Sequence, residues 1–100
     1  MTTIYKYEVK LDDWFEVEVP RRSKVLSVGM QKGTPQMWVL VDLEPPPLPF
    51  SPTVMRRFRL VGTGNPVVGL FDDKFIGTFQ LYEGALVFHL FEAGFQEVTA

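Results

Sequence analysis

The sequence predicts an all-β fold, a single-domain antiparallel sandwich or small barrel of about seven short strands. Apolar and polar residues alternate with a period of two through most of the chain, which is the spacing of side chains on a strand. Turn residues separate these stretches, and no helical periodicity extends beyond about two turns. The aromatic content of 9 Phe, 3 Tyr and 2 Trp favours pleated, half-buried surfaces. Because 100 residues can build one core but not two, we expect residues 1–100 to form a single β-rich domain.

The first two strands are predicted at residues 4–11 and 14–19, on either side of a turn at Asp12–Asp13. Residues 4–11 place mostly apolar side chains on one face and charged ones on the other, so water should reach one side of this strand. Lys6 and Lys10 on the polar face discourage further pairing, which is typical of a strand at the edge of a sheet.

A hairpin is predicted next, with strands at residues 25–31 and 36–43 around a turn at residues 32–35. The second of these strands is apolar on both faces, because Trp38 and Leu40 lie on the face opposite its valines. We expect a strand of this kind to be covered on both faces.

Two segments are predicted to lie outside the strands, a proline-rich loop at residues 44–53 and a C-terminal tail at residues 92–100. Prolines at this density remove backbone donors and favour an extended polyproline conformation. The loop contains a Pro-x-x-Pro match at residues 46–49, which we interpret as a stiff connection because such matches often arise by chance. A short helix, if one forms, is expected within residues 67–74 or 92–98.

Residues 55–61 are predicted as the fifth strand. Alternation turns Phe58 and Leu60 inward and leaves Arg57 and Arg59 facing water. A glycine-rich turn follows, and the connection after it contains a short apolar patch, Val-Val-Gly-Leu-Phe.

The last hairpin, residues 75–91, has the strongest alternation in the chain. Its turn is predicted at Glu83–Gly84, because glycine supplies the positive φ that hairpin turns need. Phe75, Phe79 and Leu81 are predicted to share one face of the first strand. Both faces of the second strand are largely apolar, so we expect it to be a covered, central strand.

Composition excludes several classes of function. The formal net charge of −2 provides no global basic field to attract nucleic acid or an anionic membrane. The absence of cysteine excludes disulfides, a thiolate nucleophile and a cysteine-ligated zinc site. The N-terminus lacks the apolar run of a signal peptide, and no stretch approaches the roughly 20 apolar residues of a membrane span. These features lead us to expect an intracellular protein.

No catalytic or metal site is predicted, and we expect the protein not to be an enzyme and to need no cofactor. His89 is the single histidine and lies among apolar neighbours, so we interpret it as a structural, hydrogen-bonded side chain. The acidic pairs Asp12–Asp13 and Asp72–Asp73 match no metal-loop spacing and are interpreted as turn residues in water.

A weak ligand site for a nucleotide or another small anion is the remaining candidate. Backbone N–H groups near consecutive glycines can approach a phosphate, and arginine can pair with it. The glycine turn does not continue as a P-loop or a dinucleotide fingerprint, so a plain turn is the simpler interpretation. The candidate residues are Arg57, Arg59, Gly62, Thr63, Gly64 and Asn65.

Several blocks of the chain together resemble a family of small uncharacterised proteins encoded by bacteriophages and prophages. These blocks are residues 1–8, 24–28, 57–64, 76–80 and 86–91. The resemblance covers nearly the whole chain. It implies a phage origin and expression in the host cytoplasm, and it implies no particular activity or catalytic residues.

These observations favour a small phage accessory protein that acts by binding. The leading hypothesis is that it engages or inhibits a host protein, such as a defence or regulatory factor, through loops and an exposed sheet face. The alternative is a protein that sequesters a nucleotide or another small anionic ligand. A second alternative is a minor structural or assembly component of the virion. Nucleic acid and membrane are not expected as partners, and a homo-oligomer stays open.

Overall fold

The computed structural model describes residues 1–43 and 52–93. Within them the chain forms seven strands and one 3-10 turn at Leu70–Asp72, so the predicted all-β class is confirmed. Most of the predicted proline-rich loop, residues 44–51, and most of the predicted C-terminal tail, residues 94–100, lie outside the described residues. The strands are β1 Thr2–Glu8, β2 Trp14–Pro20, β3 Ser23–Gln31, β4 Thr34–Asp42, β5 Thr53–Gly62, β6 Lys74–Leu81 and β7 Leu86–Glu92.

The strands form two antiparallel sheets that are not closed into a barrel. The three-stranded sheet has the order β1-β4-β3, and the four-stranded sheet has the order β2-β5-β7-β6. The prediction that the first strand lies at an edge is confirmed, as is the central position of the last strand. The edge position of β1 fits Lys6, the one lysine within the strand, and the central position of β7 fits its apolar residues.

The β3–β4 hairpin closes on a tighter turn than the sequence predicts. Lys32 and Gly33 have φ values of 51° and 79°, which is the geometry of a two-residue hairpin turn. Thr34 and Pro35, predicted in the turn, therefore belong to β4. Pro35 is tolerated near the start of the strand, where its carbonyl accepts a hydrogen bond from the Val9 N–H at 3.0 Å.

The core lies between the inner faces of the two sheets. Phe58 is fully buried and stacks on Phe15 with 5.4 Å between ring centroids. Tyr7 packs against this core from β1, and burial, followed by the charge on Tyr5, raises the pKa of its hydroxyl. The buried residues of this cluster are Val9, Phe15, Val25, Met37, Val39, Val41, Phe58, Leu60, Phe79, Leu81 and Leu90.

The two sheets approach closely where β3 passes β6. A Cβ added to Gly77 would lie 2.8 Å from Cγ1 of Val28, so only glycine fits there without a shift. The pairing of β6 with β7 shifts register between Phe75 and Gly77. This irregularity reverses the parity of the strand, so Phe75 lies on the outer face, opposite Phe79. The prediction that these two side chains share a face is wrong.

Arg56 joins β5 to β7 and to the other sheet. Its Nε and Nη2 donate to the two carboxylate oxygens of Glu92 at 2.6 and 3.0 Å, and its Nη1 donates to the Ser23 carbonyl at 2.8 Å. Glu92 is buried and ends β7, so its predicted place in the tail is wrong. Thr53 likewise begins β5 instead of ending the proline-rich loop.

The outer face of the three-stranded sheet is only partly covered. Trp38 and Leu40 of β4 lie opposite Lys6 and Ile4 of β1, respectively. The side chains of Trp38 and Leu40 are half-buried. Among the described residues, β4 is therefore not fully covered on both faces, contrary to the prediction.

Candidate functional site

A row of four side chains crosses the outer face of the four-stranded sheet. Trp14 of β2 pairs with Arg59 of β5, which pairs with Phe91 of β7, which pairs with Phe75 of β6. The rings of Phe75 and Phe91 lie 5.3 Å apart and are tilted by 58°. The register shift in β6 is what adds Phe75 to this row. Cross-strand pairing thus assembles aromatic residues that are far apart in sequence.

Two arginines of β5 contact the Trp14 ring. Cζ of Arg57 lies 4.2 Å from the ring centroid, and Cζ of Arg59 lies 4.3 Å from it. Guanidinium groups at this distance are attracted by the negative face of an indole ring. The contact holds both side chains at the Trp14 end of the row, at the edge formed by β2.

Arg59 faces outward, as predicted, but it is buried instead of facing water. Its exposed fraction is 8%, because the connection between β5 and β6 passes over it. Its Nη1 donates to the Val68 carbonyl at 3.0 Å and to Oδ2 of Asp73 at 3.4 Å. Both acceptors come from that connection. Arg59 is therefore an internal anchor for residues 66–73.

The same connection presents apolar side chains to solvent. The 3-10 turn leaves Phe71 at 106% relative exposure, and Val68 beside it is 91% exposed. Gly69, at the start of the turn, has a φ of 78°, which suits glycine and lets the chain reverse there. We use the name arginine–aromatic face for this part of the four-stranded sheet together with the connection that covers Arg59. Its exposed or half-exposed members are Trp14, Arg57, Val68, Phe71, Phe75 and Phe91, and Arg59 lies beneath them.

Sequence reasoning named Arg57 and Arg59 but missed Phe71. The available signal was an apolar patch, Val-Val-Gly-Leu-Phe, inside a connection that carries turn residues on both sides. Apolar residues in a connection rich in turn residues can either pack against the protein or point into solvent. Alternation does not decide between these outcomes, because the connection is not a strand.

The glycine turn predicted to bind an anion makes local hydrogen bonds. The Thr63 N–H donates to the Val87 carbonyl and the Asn65 N–H donates to the Gly62 carbonyl, each at 3.1 Å. Gly64 has a φ of 85°. Along an extended strand Gly62 lies ~10 Å from Arg59. The structure thus places Arg57 and Arg59 at Trp14, apart from the turn, and the anion site stays a prediction.

His89 is hydrogen-bonded through both ring nitrogens. Nε2 lies 2.8 Å from Oγ1 of Thr63, and Nδ1 lies 2.9 Å from Oγ1 of Thr78. In the neutral imidazole one nitrogen donates and the other accepts. The interpretation of His89 as a hydrogen-bonded structural residue agrees with this geometry.

An open cleft of about 740 Å³ lies where the β3–β4 and β6–β7 turns meet the segment after β1. Lys10 lines it together with Glu8 and Glu83, which gives the lining a net negative charge. This balance of charge does not favour binding of a small anion there. Residues 1–43 and 52–93 contain no group of three or more His, Cys, Asp or Glu side chains placed to hold a metal.

Comparison with known proteins identifies a family for the chain. The family model described as Domain of unknown function (DUF7352) matches residues 1–100. No curated protein and no solved structure matches significantly. None of the helical turns in the described part of the chain is long and apolar enough to cross a membrane.

Proposed function

The chain belongs to this family of domains of unknown function, and on that premise we propose that it acts by binding a folded protein through the arginine–aromatic face. The observation that supports the proposal is the full exposure of Phe71 on a turn anchored by Arg59. A phenylalanine held out into water has an unfavourable hydration free energy that a partner's apolar pocket would relieve.

The composition of the face suits a protein interface. Aromatic residues and arginine are enriched in interface centres, and tryptophan and arginine carry much of the binding energy in many complexes. Phe71, Val68 and Phe75 are all more than half exposed, and Trp14 is 41% exposed. With 150–250 Å² for a large aromatic side chain, these groups offer roughly 500 Å² of apolar area, a large part of the ~800 Å² that each partner buries in a typical complex.

The charges on the face indicate the chemistry of the partner. Arg57 contacts Trp14 and, among the described residues, forms no ion pair, whereas Arg59 is paired with Asp73. A guanidinium that is exposed and stacked on an aromatic ring can donate two hydrogen bonds to a carboxylate in bidentate geometry. We therefore expect the partner to offer an apolar pocket for Phe71 with an acidic side chain near Arg57.

The proposal extends to the biological setting. The sequence blocks that resemble phage-encoded proteins support a phage accessory protein, which would act in the host cytoplasm. A partner there would be a host protein such as a defence or regulatory factor. An exposed aromatic and arginine surface of this kind fits a protein that inhibits or redirects its target by occupying it.

The test is affinity capture from a lysate of the bacterium that carries the gene, with two matched variants. Phe71→Asp places a charge on the most exposed aromatic of the face and should weaken binding by about 2–4 kcal/mol, the usual range for an aromatic that anchors an interface. Tyr82→Asp is the control, because Tyr82 is also an exposed aromatic in a turn, at 75% exposure, and lies outside the face. Its φ of 51° suits aspartate.

The proposal predicts one protein that the wild type and Tyr82→Asp both retain and that Phe71→Asp loses. Circular dichroism and thermal melting of the three proteins should be alike. A partner retained equally by all three would overturn the assignment of the face, and the absence of any enriched protein would count against protein binding. If Phe71→Asp only converts a dimer to a monomer, the partner is a second copy. A nucleotide released from the wild type and not from Arg57→Ala with Arg59→Ala would favour the sequestration alternative.

A further inference from the structure

The turn that carries Phe71 is held at both ends by one side chain. Nη1 of Arg59 donates to the Val68 carbonyl, before the turn, and to Oδ2 of Asp73, after it. The Asp73 N–H donates to the Leu70 carbonyl at 3.1 Å and closes the turn itself. One guanidinium group of the sheet thus fixes both ends of the segment that lifts Phe71 into solvent.

We infer that Arg59 is a positioning residue that presents Phe71 in a preformed orientation, an inference that rests on the proposed function. The side chains of Arg59 and Asp73 are each only 9% exposed. An ion pair that water reaches poorly is screened less than a surface pair and holds its geometry better. Contact with Trp14 fixes the guanidinium from the sheet side.

Pre-ordering of this turn has a consequence for binding. A loop that must become ordered in the complex loses conformational entropy, and that loss subtracts from the affinity. When Arg59 holds the turn in the free protein, most of that loss has already occurred on folding. The partner then meets an exposed aromatic side chain on a turn that is already ordered, which fits a concave apolar pocket better than a disordered segment would.

The test is amide hydrogen exchange in the free protein, measured by NMR for Arg59→Gln. The reporter is the Asp73 amide, and the internal control is the Ala85 amide, which donates to the Tyr82 carbonyl in the β6–β7 turn. We expect protection at Asp73 to fall by about ten- to a hundredfold, the factor for one lost hydrogen bond to a charged group, with Ala85 unchanged. Arg57→Gln is the matched variant, since it removes the other guanidinium from Trp14 and neither bond to the connection.

Two further variants keep the inference testable if Arg59→Gln does not fold. Asp73→Asn removes the ion pair and should lower protection of the residue 73 amide by a smaller factor. Arg59→Lys offers an ammonium to the same two acceptors and should restore part of the protection. Unchanged protection in Arg59→Gln, or in Asp73→Asn where Arg59→Gln is unfolded, would overturn the inference. Equal losses in Arg59→Gln and Arg57→Gln would do the same.

Failure of this inference can be told apart from failure of the proposed function. Exchange is measured without a partner, so an anchored turn can be demonstrated even where affinity capture finds no bound protein. Conversely, a partner lost by Phe71→Asp together with normal exchange in Arg59→Gln would support the binding face and reject the positioning role of Arg59.

Discussion

Three arginines of one strand show how position decides the role of a residue. Arg56 points into the core and pairs with Glu92, Arg57 is exposed on Trp14, and Arg59 points outward but is covered by the following connection. Alternation in the sequence predicts which way each side chain points. The burial of Arg59 could not be predicted, because it depends on where residues 66–73 pass over the sheet.

At the residue scale, Arg56→Ala should be strongly destabilising. The substitution removes the bidentate contact and leaves the Glu92 carboxylate, 8% exposed, without its cation. Removing one partner of a buried pair costs about 3–5 kcal/mol. Urea denaturation should show this loss, and the double variant Arg56→Leu with Glu92→Leu should recover much of it. A loss below about 1 kcal/mol, the value for an exposed pair, would show that the pair is not buried in solution.

At the scale of elements, the positions of the strands along the chain were more predictable than the sheet face on which each side chain lies. Period-two alternation located all seven strands, and edge lysines and apolar central strands predicted the order of β1 and β7 within the sheets. The register shift in β6 was not predicted. Composition gives no sign of this shift, which moves Phe75 from the face predicted to be shared with Phe79 and Leu81 to the outer row. The place of Phe75 in the candidate site therefore depends on an irregularity that cannot be predicted from period-two alternation.

Gly77 next to that irregularity provides the test at this scale. Gly77→Ala places a methyl group 2.8 Å from Cγ1 of Val28, a residue of the other sheet. Overpacking of this kind costs about 1–3 kcal/mol. Thermal melting should show this loss of stability in Gly77→Ala. The double variant Gly77→Ala with Val28→Ala should lose less stability than the sum of the losses in the two single variants. Strictly additive losses would mean that β3 and β6 do not touch at this point.

At the scale of the whole molecule, the two outer faces differ in chemistry. The three-stranded sheet presents Trp38 and Leu40 beside Lys6, and the four-stranded sheet presents the arginine–aromatic face with its anchored turn. The sequence predicted a binding protein and named Arg57 and Arg59, but as ligands for an anion near the glycine turn. Both arginines contact Trp14 because distant strands pair, and Arg59 binds the connection that carries Phe71 because of the path that this connection takes. Neither strand pairing nor that path can be predicted from local sequence patterns.

Site-directed photo-crosslinking in cells tests the central claim, protein binding through the arginine–aromatic face, most directly. Benzoylphenylalanine replaces Phe71 in one protein and Tyr82 in the other, so both probes take the place of an exposed aromatic in a turn. Our account predicts that irradiation gives one discrete crosslinked protein from position 71 and none from position 82. No product from position 71, or the same product from both positions, would contradict it.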